Sequence, residues 1–303
     1  MDETIALQKL SEARAEFEKL VAQVRPELHR YCARMTGSVV DGEDVVQDTL
    51  AKAFYWLSKT DGIADLRNWI FRIAHNKAID HTRAHSRRFG EPLEDHSDIP
   101  ANGPSLDKTD VLKMSLGLFM RLTPAQRGAV ILKDVLEHPL TEIAEILDMS
   151  VLSVKGLLHR GRATLHRLAE EGDKQTPALD PQEKRLLEGY VRHFAARDFD
   201  QLRALLARDV RLEIVGVAES NGAKPVGCYF GRYSEANDWS PCAGSVEGRP
   251  GILVFNPQDS SGEPSYFILL DWVNGKVASI RDYRHSQYVT RDAQFTLEPG
   301  SNR

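Results

Sequence analysis

Residues 141–162 read TEIAEILDMSVLSVKGLLHRGR. Thr141–Leu147 has the apolar spacing of one short helix, and Asp148-Met149-Ser150 has turn chemistry. Ser150 is a good N-cap for a second helix starting at Val151, because its hydroxyl can accept a backbone N–H of the first turn. The spacing predicts helix, short turn, basic helix. On the second helix Val151, Val154, Leu158 and Leu165 form a candidate buried face, leaving Ser153, Lys155, Gly156, His159, Arg160 and Arg162 mostly on the other side. A helix presented in this way enters the DNA major groove, where Lys155 and Arg160 can reach guanine edges or phosphates. Spacing alone leaves a plain helical hairpin with a solvated basic face equally open.

Upstream the helical period continues. From Glu12 to about His85, Phe17, Leu20, Val21, Val24 and Leu28 recur at three- and four-residue steps, as do Val45, Val46, Leu50, Ala53, Phe54 and Leu57. A third helix is expected from about Leu66 to Ala84, with breaks at Gly37-Ser38 and Asp61-Gly62. That third segment is rich in cations, Arg67, Arg72, Lys77, Arg83, Arg87 and Arg88, against the single acid Asp80. It also carries Trp69, Phe71, His75 and Asn76. Aromatic rings stack on unpaired bases, cations follow the backbone and Asn can bond a base edge, so the mixture suits separated strands. Trp69 and Ile73 are equally good core residues. Asp41, Glu43, Asp44 and Asp48 crowd the start of the helix before it, and Asp44, Gln47 and Asp48 share one face. Placement at the positive end of a helix dipole accounts for such acids; so does a docking face for a basic partner.

Between the helical stretches, residues 91–110 hold Glu91, Glu94, Asp95, Asp98, Asp107 and Asp110 against Lys108 alone, with Pro92, Pro100 and Pro104. This reads as an acidic linker. Thr123-Pro124 opens a further helix, Thr as cap and Pro in the first turn.

The chain has 303 residues, about two domains' worth by length, with 42% hydrophobic and 27% charged residues. Such a composition excludes collagen-like and low-complexity classes. No apolar run is long enough for a membrane helix, and Met1–Leu20 has no apolar segment of the secretory kind. Three scattered cysteines, Cys32, Cys228 and Cys242, predict neither a disulfide framework nor a zinc site. The expectation is a cytoplasmic protein without metal or cofactor.

After a second linker, residues 172–181, the texture changes. Amphipathic helices carry Leu186, Leu187, Tyr190, Val191 and Phe194, then Leu202, Leu205 and Leu206. Strand-like runs follow at Val210–Val217, Val226–Phe230, Gly251–Asn256, Tyr266–Val273 and Val277–Tyr283, with turn signals such as Asn274-Gly275 between them. Helices followed by a strand meander indicate an α+β domain.

Four ordered motifs carry a family resemblance. Gly42–Leu50 resembles the "aEDvvQeaF" signature of bacterial sigma factors, and Asn68–Asp80 their "tWLyrIArNkaiD" stretch. Leu122–Arg127 is similar to "LpeeqR", and Ser150–Arg162 to "svgTVKSRLhRAR". The two-part layout resembles the extracytoplasmic-function subgroup. The resemblance implies a region-2 helical bundle at 12–90, the linker 91–110 running through the polymerase RNA path, and a region-4 helix-turn-helix at 111–171. It implies that Asp44, Gln47 and Asp48 bind the β′ clamp helices of core RNA polymerase, which also offers its β subunit. Asn76 would hold a flipped −10 base in a pocket completed by the loop Thr60–Asp65, beside Trp69, Arg72 and Lys77. Arg83, Arg87 and Arg88 would meet phosphates. Ser153, Lys155, Gly156, His159, Arg160 and Arg162 would serve the −35 element, with Leu157 where many relatives have Arg and Gly156 lacking the usual hydroxyl.

Residues 182–290 are similar to SnoaL-like domains of the nuclear-transport-factor-2 superfamily, which form a helix-filled cone on a curved antiparallel sheet; 291–303 is a tail. Asn221–Lys224 resembles a degenerate "DGGGK" loop. Tyr229, Trp239, Asp282 and His285 are candidates for a pocket holding an unidentified small ligand, and Asp238 and His193 are further acid–base candidates. Strand alternation puts Arg281, Tyr283 and His285 opposite Asp282. The fold class expected is therefore multidomain: two all-α sigma domains, then an α+β cone-shaped domain. The function expected is an alternative sigma factor, not an enzyme, that directs core polymerase to −35 and −10 promoter elements under the influence of its C-terminal domain. A ligand-sensing DNA-binding regulator, or a SnoaL-type isomerase or hydrolase fused to a DNA-binding segment, is the alternative.

Overall fold

The computed structural model describes residues 2–57, 65–89, 108–171 and 179–298. It divides into two compact units, Met1–Lys174 and Gln175–Arg303. The loop 60–64, most of the acidic linker (91–107), residues 172–178 and the tail end 299–303 lie outside the described residues.

The first unit is helical. In order come α1 (Asp2–Thr36), α2 (Val39–Leu57), α3 (Leu66–Phe89), α4 (Lys108–Lys113), α5 (Leu116–Phe119), α6 (Pro124–Val130), α7 (Leu140–Leu147) and α8 (Val151–Glu171). A π-helical turn, Ile131–Val135, extends α6. The local reasons are legible. Gly37 turns the chain between α1 and α2 with φ 79°. Thr123 and Gln126 form a capping box on α6, with Pro124 in its first turn. Asp148 ends α7 in the left-handed conformation, and the Ser150 hydroxyl accepts the Ser153 N–H at 3.1 Å at the start of α8.

One hydrophobic core runs through the unit, joining Leu28, Tyr31, Val46 and Phe71 of α1–α3 to Val130, Ile143, Val154 and Leu165 of the later helices. Two expectations change here. Phe54, read as inward, is 48% exposed, because Ala53 takes the core position and the next residue is turned about 100° away. Leu157 is buried, so it belongs to the packed face of α8.

Arg127 pegs the unit together. It is buried, and its guanidinium donates to Met35 O at the end of α1 (2.6 Å), to Met120 O (3.1 Å) and to Leu122 O (3.0 Å). Burial lowers its pKa to about 10, opposed by Tyr31.

The second unit is α+β. Helices α9 (Pro181–Ala195) and α10 (Phe199–Leu205) lead into β1 (Leu206–Ile214) and β2 (Ala218–Asn221). Then follow α11 (Ala223–Gly227), α12 (Tyr229–Glu235), β3 (Ser240–Val246), β4 (Arg249–Phe255), β5 (Tyr266–Val273), β6 (Lys276–Asp282) and β7 (Phe295–Leu297). The sheet order is β2-β1-β6-β5-β4-β3-β7. It is mixed, not antiparallel throughout, because β1 runs parallel to β6. The helices and one sheet face close a second core around Leu187, Phe194, Val210, Phe230, Ile252 and Ile280.

Val226–Phe230, read as a strand, lies in α11 and α12. The buried residues Val226, Tyr229, Phe230 and Tyr233 repeat at helical steps, a period that outweighs their β-branched and aromatic composition. Strand β3 carries no alternation, since Cys242 to Val246 are all buried. A Cβ on Gly244 would lie 2.6 Å from Thr296 O, so only glycine admits β7 this closely.

Candidate nucleic-acid interface

On α2, burial of Val45, Val46, Thr49 and Leu50 turns Asp44, Gln47 and Asp48 away from the core. Asp44 and Gln47 are half-buried and Asp48 is exposed, with Lys77 Nζ 3.4 Å from its carboxylate. The acidic stripe of α2 and the basic helix α3 thus meet at an ion pair joining a candidate partner-binding residue to a candidate −10 residue.

On α3, Ile70, Phe71, Ile73, Ala74 and Ala78 are core, while Arg72, Asn76, Arg83 and Arg87 are exposed. Trp69 is half-buried against the core. The Arg88 side chain lies outside the described residues. Arg72 is already engaged: it donates to Glu145 O at 2.7 Å, at the end of α7, and lies 3.3 Å from the Asp148 carboxylate. A cation at a helix C-terminus is stabilised by the carbonyls left unpaired there. Asn68 donates to the Glu145 carboxylate at 3.1 Å. Between α1 and α3, His75 Nδ1 lies 2.7 Å from the Tyr31 hydroxyl, and burial lowers the His75 pKa to about 4, so the ring is neutral at pH 7.

On α8, Ser153, Lys155 and His159 are exposed, and Gly156 and Arg160 are half-buried. Val154, Leu158 and Leu165 are buried and Val151 is half-buried. Arg162 differs from the other cations. It is forked onto Asp134 of the π-helical turn, Nε to Oδ2 at 2.9 Å and Nη2 to Oδ1 at 2.5 Å. This bond raises its pKa against the effect of burial. Asp134 is buried, and sequence reasoning missed it because its partner lies 28 residues away. Arg162 therefore fastens α8 to the π-helical extension of α6.

The C-terminal unit assembles three of its four candidate pocket residues. Asp282 is buried at the end of β6, and its Oδ2 accepts the hydroxyls of Tyr229 (2.7 Å) and Tyr233 (2.8 Å). Its Oδ1 accepts the Arg284 N–H at 2.8 Å. Burial raises the Asp282 pKa, opposed by these hydrogen bonds. Trp239 packs edge-on to Tyr233 and stacks on Phe194 at 4.6 Å, its indole N–H donating to Tyr233 O and Ala236 O. His285 is exposed beyond the strand end and apart from this cluster, whereas Tyr283 is fully buried against Phe267. Arg281 pairs with Glu213 at 2.8 Å. Asp238 is held by Arg284 in a two-bond fork (2.7 and 2.8 Å), and Arg284 also donates to the Tyr266 hydroxyl at 3.0 Å. His193 lies 3.4 Å from Asp198. Tyr233, Tyr266 and Arg284 were not singled out from the sequence; the helical spacing of Tyr229 and Tyr233 was the available signal. Asn221 closes β2, and Gly222 takes φ 91° before α11. Among the described residues no group of His, Cys, Asp and Glu is placed to hold a metal ion.

A capped two-helix turn with a basic outward stripe, fixed on a helical body beside a second basic helix, defines the class of helix-turn-helix proteins. Family models place it further: "Sigma-70 region 2" matches residues 20–88 and "Sigma-70, region 4" residues 116–165. The chain is 30% identical over 230 residues to the ECF RNA polymerase sigma factor SigG of Mycobacterium tuberculosis, covering 67% of this chain and 62% of SigG. It is 30% identical over 162 residues to the RNA polymerase sigma factor YlaC of Bacillus subtilis, covering 51% of this chain and 92% of YlaC. The crystal structure of the M. tuberculosis extracytoplasmic function sigma factor SigJ aligns at 21% identity and TM-score 0.32, covering 86% of this chain and 93% of that one. The chain belongs to the sigma-70 family of RNA polymerase sigma factors.

Proposed function

We propose that the chain is an alternative sigma factor of the extracytoplasmic-function type. It binds core RNA polymerase, directs it to a subset of promoters and works in the cytoplasm. It performs no bond chemistry. The observation that carries this reading is the α2 stripe Asp44, Gln47 and Asp48, turned outward from a packed core within the region-2 match. Neither duplex DNA nor a small ligand accounts for an acidic face there; a basic partner helix does. The clamp helices of β′ are that partner, with the β subunit as a further contact. The exposed α3 residues Asn76, Arg83 and Arg87 then serve the −10 element together with Arg88, Trp69, Lys77 and Arg72. Arg72 reaches DNA only on leaving Glu145 and Asp148. Ser153, Lys155, Gly156, His159 and Arg160 serve −35, and Arg162 supports α8 from behind.

The domain plan we propose is region 2 at 12–90, an acidic linker at 91–110, region 4 at 111–171, a linker at 172–181, a SnoaL-like domain at 182–290 and a tail. The C-terminal domain tunes promoter binding. A second reading, a SnoaL-type isomerase or hydrolase or a ligand sensor, draws on Asp282 beneath Tyr229 and Tyr233. In that reading His285, a further candidate, is not part of the cluster, since it is exposed beyond the end of β6.

The test is size-exclusion chromatography with core polymerase. The full chain co-elutes; the pair Asp44→Lys and Asp48→Lys abolishes co-elution while leaving the helical circular dichroism unchanged. Retained co-elution would overturn the assignment of the α2 face. Comparison with residues 1–174 reads the C-terminal domain: equal binding and equal promoter output would remove its proposed regulatory role.

A further inference from the structure

Leu152 is 80% exposed, the highest value among the large hydrophobic residues exposed in the described structure. It is the second residue of α8, so it stands in the turn that enters a groove first. Leu152, Lys155, Gly156 and His159 fall at i, i+3, i+4 and i+7, one stripe along the helix. The opposite face is spent on the core, through Val154, Leu157, Leu158 and Leu165.

The exposure has a local cause. Helical side chains lean toward the N-terminus, so the residue four positions on covers the surface over Leu152. That residue is Gly156. A Cβ built there meets only Arg160 Nη1, at 3.4 Å, so the space beside Leu152 is open. The motif quoted above has Gly at the position of Leu152 and Ser at that of Gly156; here a branched apolar side chain stands beside a bare glycine. Met149, in the turn before α8, is also exposed, at 40%.

Exposed apolar side chains scattered over a surface are ordinary. This one is flanked by the exposed Lys155 and His159 on the face that carries the region's cations. The charge of Lys155, with Arg160 one turn on, selects a polyanion as the occupant of the face. The apolar feature a DNA duplex offers in its major groove is the C5-methyl of thymine.

Resting on the region-4 reading above, we propose that Leu152 is a specificity residue: it packs on the methyl group of one thymine in the −35 element, with the gap at Gly156 admitting that methyl. Lys155 and Arg160 supply phosphate or guanine contacts around it, and Leu152 sets the preference for thymine at one position.

The test uses holoenzyme reconstituted from the full chain and core polymerase. A duplex library randomised over the −35 segment is selected first. Each thymine in the selected sequence is then replaced singly by deoxyuridine, which removes the methyl and keeps every hydrogen-bonding atom. One replacement weakens binding of the wild-type holoenzyme about fourfold, the worth of burying one methyl-sized group. Leu152→Ala binds the thymine and deoxyuridine duplexes equally, with its salt dependence unchanged because no phosphate contact is lost. Indifference of the wild type to every replacement overturns the proposal, as does discrimination that survives in Leu152→Ala, or a selected sequence without thymine. In those three cases an enriched −35 sequence still upholds the region-4 reading. Failure to enrich any sequence there overturns both.

Discussion

Replacing Arg127 by Met tests how the helical unit is held together. The guanidinium is buried and donates to three main-chain carbonyls, Met35, Met120 and Leu122. Hydrogen bonds from a charged group are worth about 1.5–3 kcal/mol each, so three give roughly 5–9 kcal/mol. Against this stands the burial of the charge. The drop in pKa from the ordinary arginine value to about 10 corresponds to about 3 kcal/mol at about 1.4 kcal/mol per tenfold change in proton affinity. The net is roughly 2–6 kcal/mol. Methionine refills most of the volume but leaves three buried carbonyls without their donor, so a loss of about 3 kcal/mol is expected. Hydrogen exchange on the full chain reads this directly. Amides in the second half of α1 and in α6 should lose about a hundredfold in protection, the equivalent of that loss. Arg127→Lys, which keeps the charge but not the fork, should fall between the two. A change under about fivefold in Arg127→Met would show that water or other donors replace the peg, and the accounting would be wrong.

Three further outcomes follow from buried polar groups. His75, its pKa lowered from 6.5 to about 4 by burial, stays neutral while the unfolded chain takes up a proton. Stability should therefore fall as pH drops through that window, by about 3 kcal/mol in all, and the slope should flatten in His75→Gln when urea midpoints are compared from pH 7 to 4. Asp282 has the opposite sign: its raised pKa makes the folded chain hold the proton longer, so stability of the C-terminal unit declines as pH rises from the unfolded value of 3.8 through the raised one. Asp282→Asn should abolish that decline in the same titration; its persistence would assign the proton elsewhere. Arg162→Met strands the buried Asp134 carboxylate and should cost about 3–5 kcal/mol, while adding Asp134→Leu should recover most of it. No recovery in thermal melts would mean that the fork does more than neutralise Asp134.

The features that local chemistry controls were legible in the chain. Ser150, Thr123 and Pro124 mark helix starts because capping needs only the next three residues. The outward stripes of α2 and α8 follow from a 3.6-residue period, which assigns faces without knowledge of what covers them. The same period in Val226, Tyr229, Phe230 and Tyr233 was there to be read, and composition misled. Strand β3 was not legible, because burial on both faces erases alternation.

Partnership is another matter. Arg162 looked like its neighbours until Asp134 was brought to it, and Arg72 is taken by a carbonyl 73 residues away. Asp282 meets Tyr229 across 53 residues, while His285, three positions along the chain from it, is left in solvent. The sequence by itself determined the helices, their caps and the sign of each exposed face, since these depend on contacts within one or two turns. Tertiary structure alone decided which charged groups remain free to meet a partner and which are consumed in holding the fold. A side chain's polar bonds depend on what packing brings within about 3 Å, and nothing in its immediate neighbours encodes that.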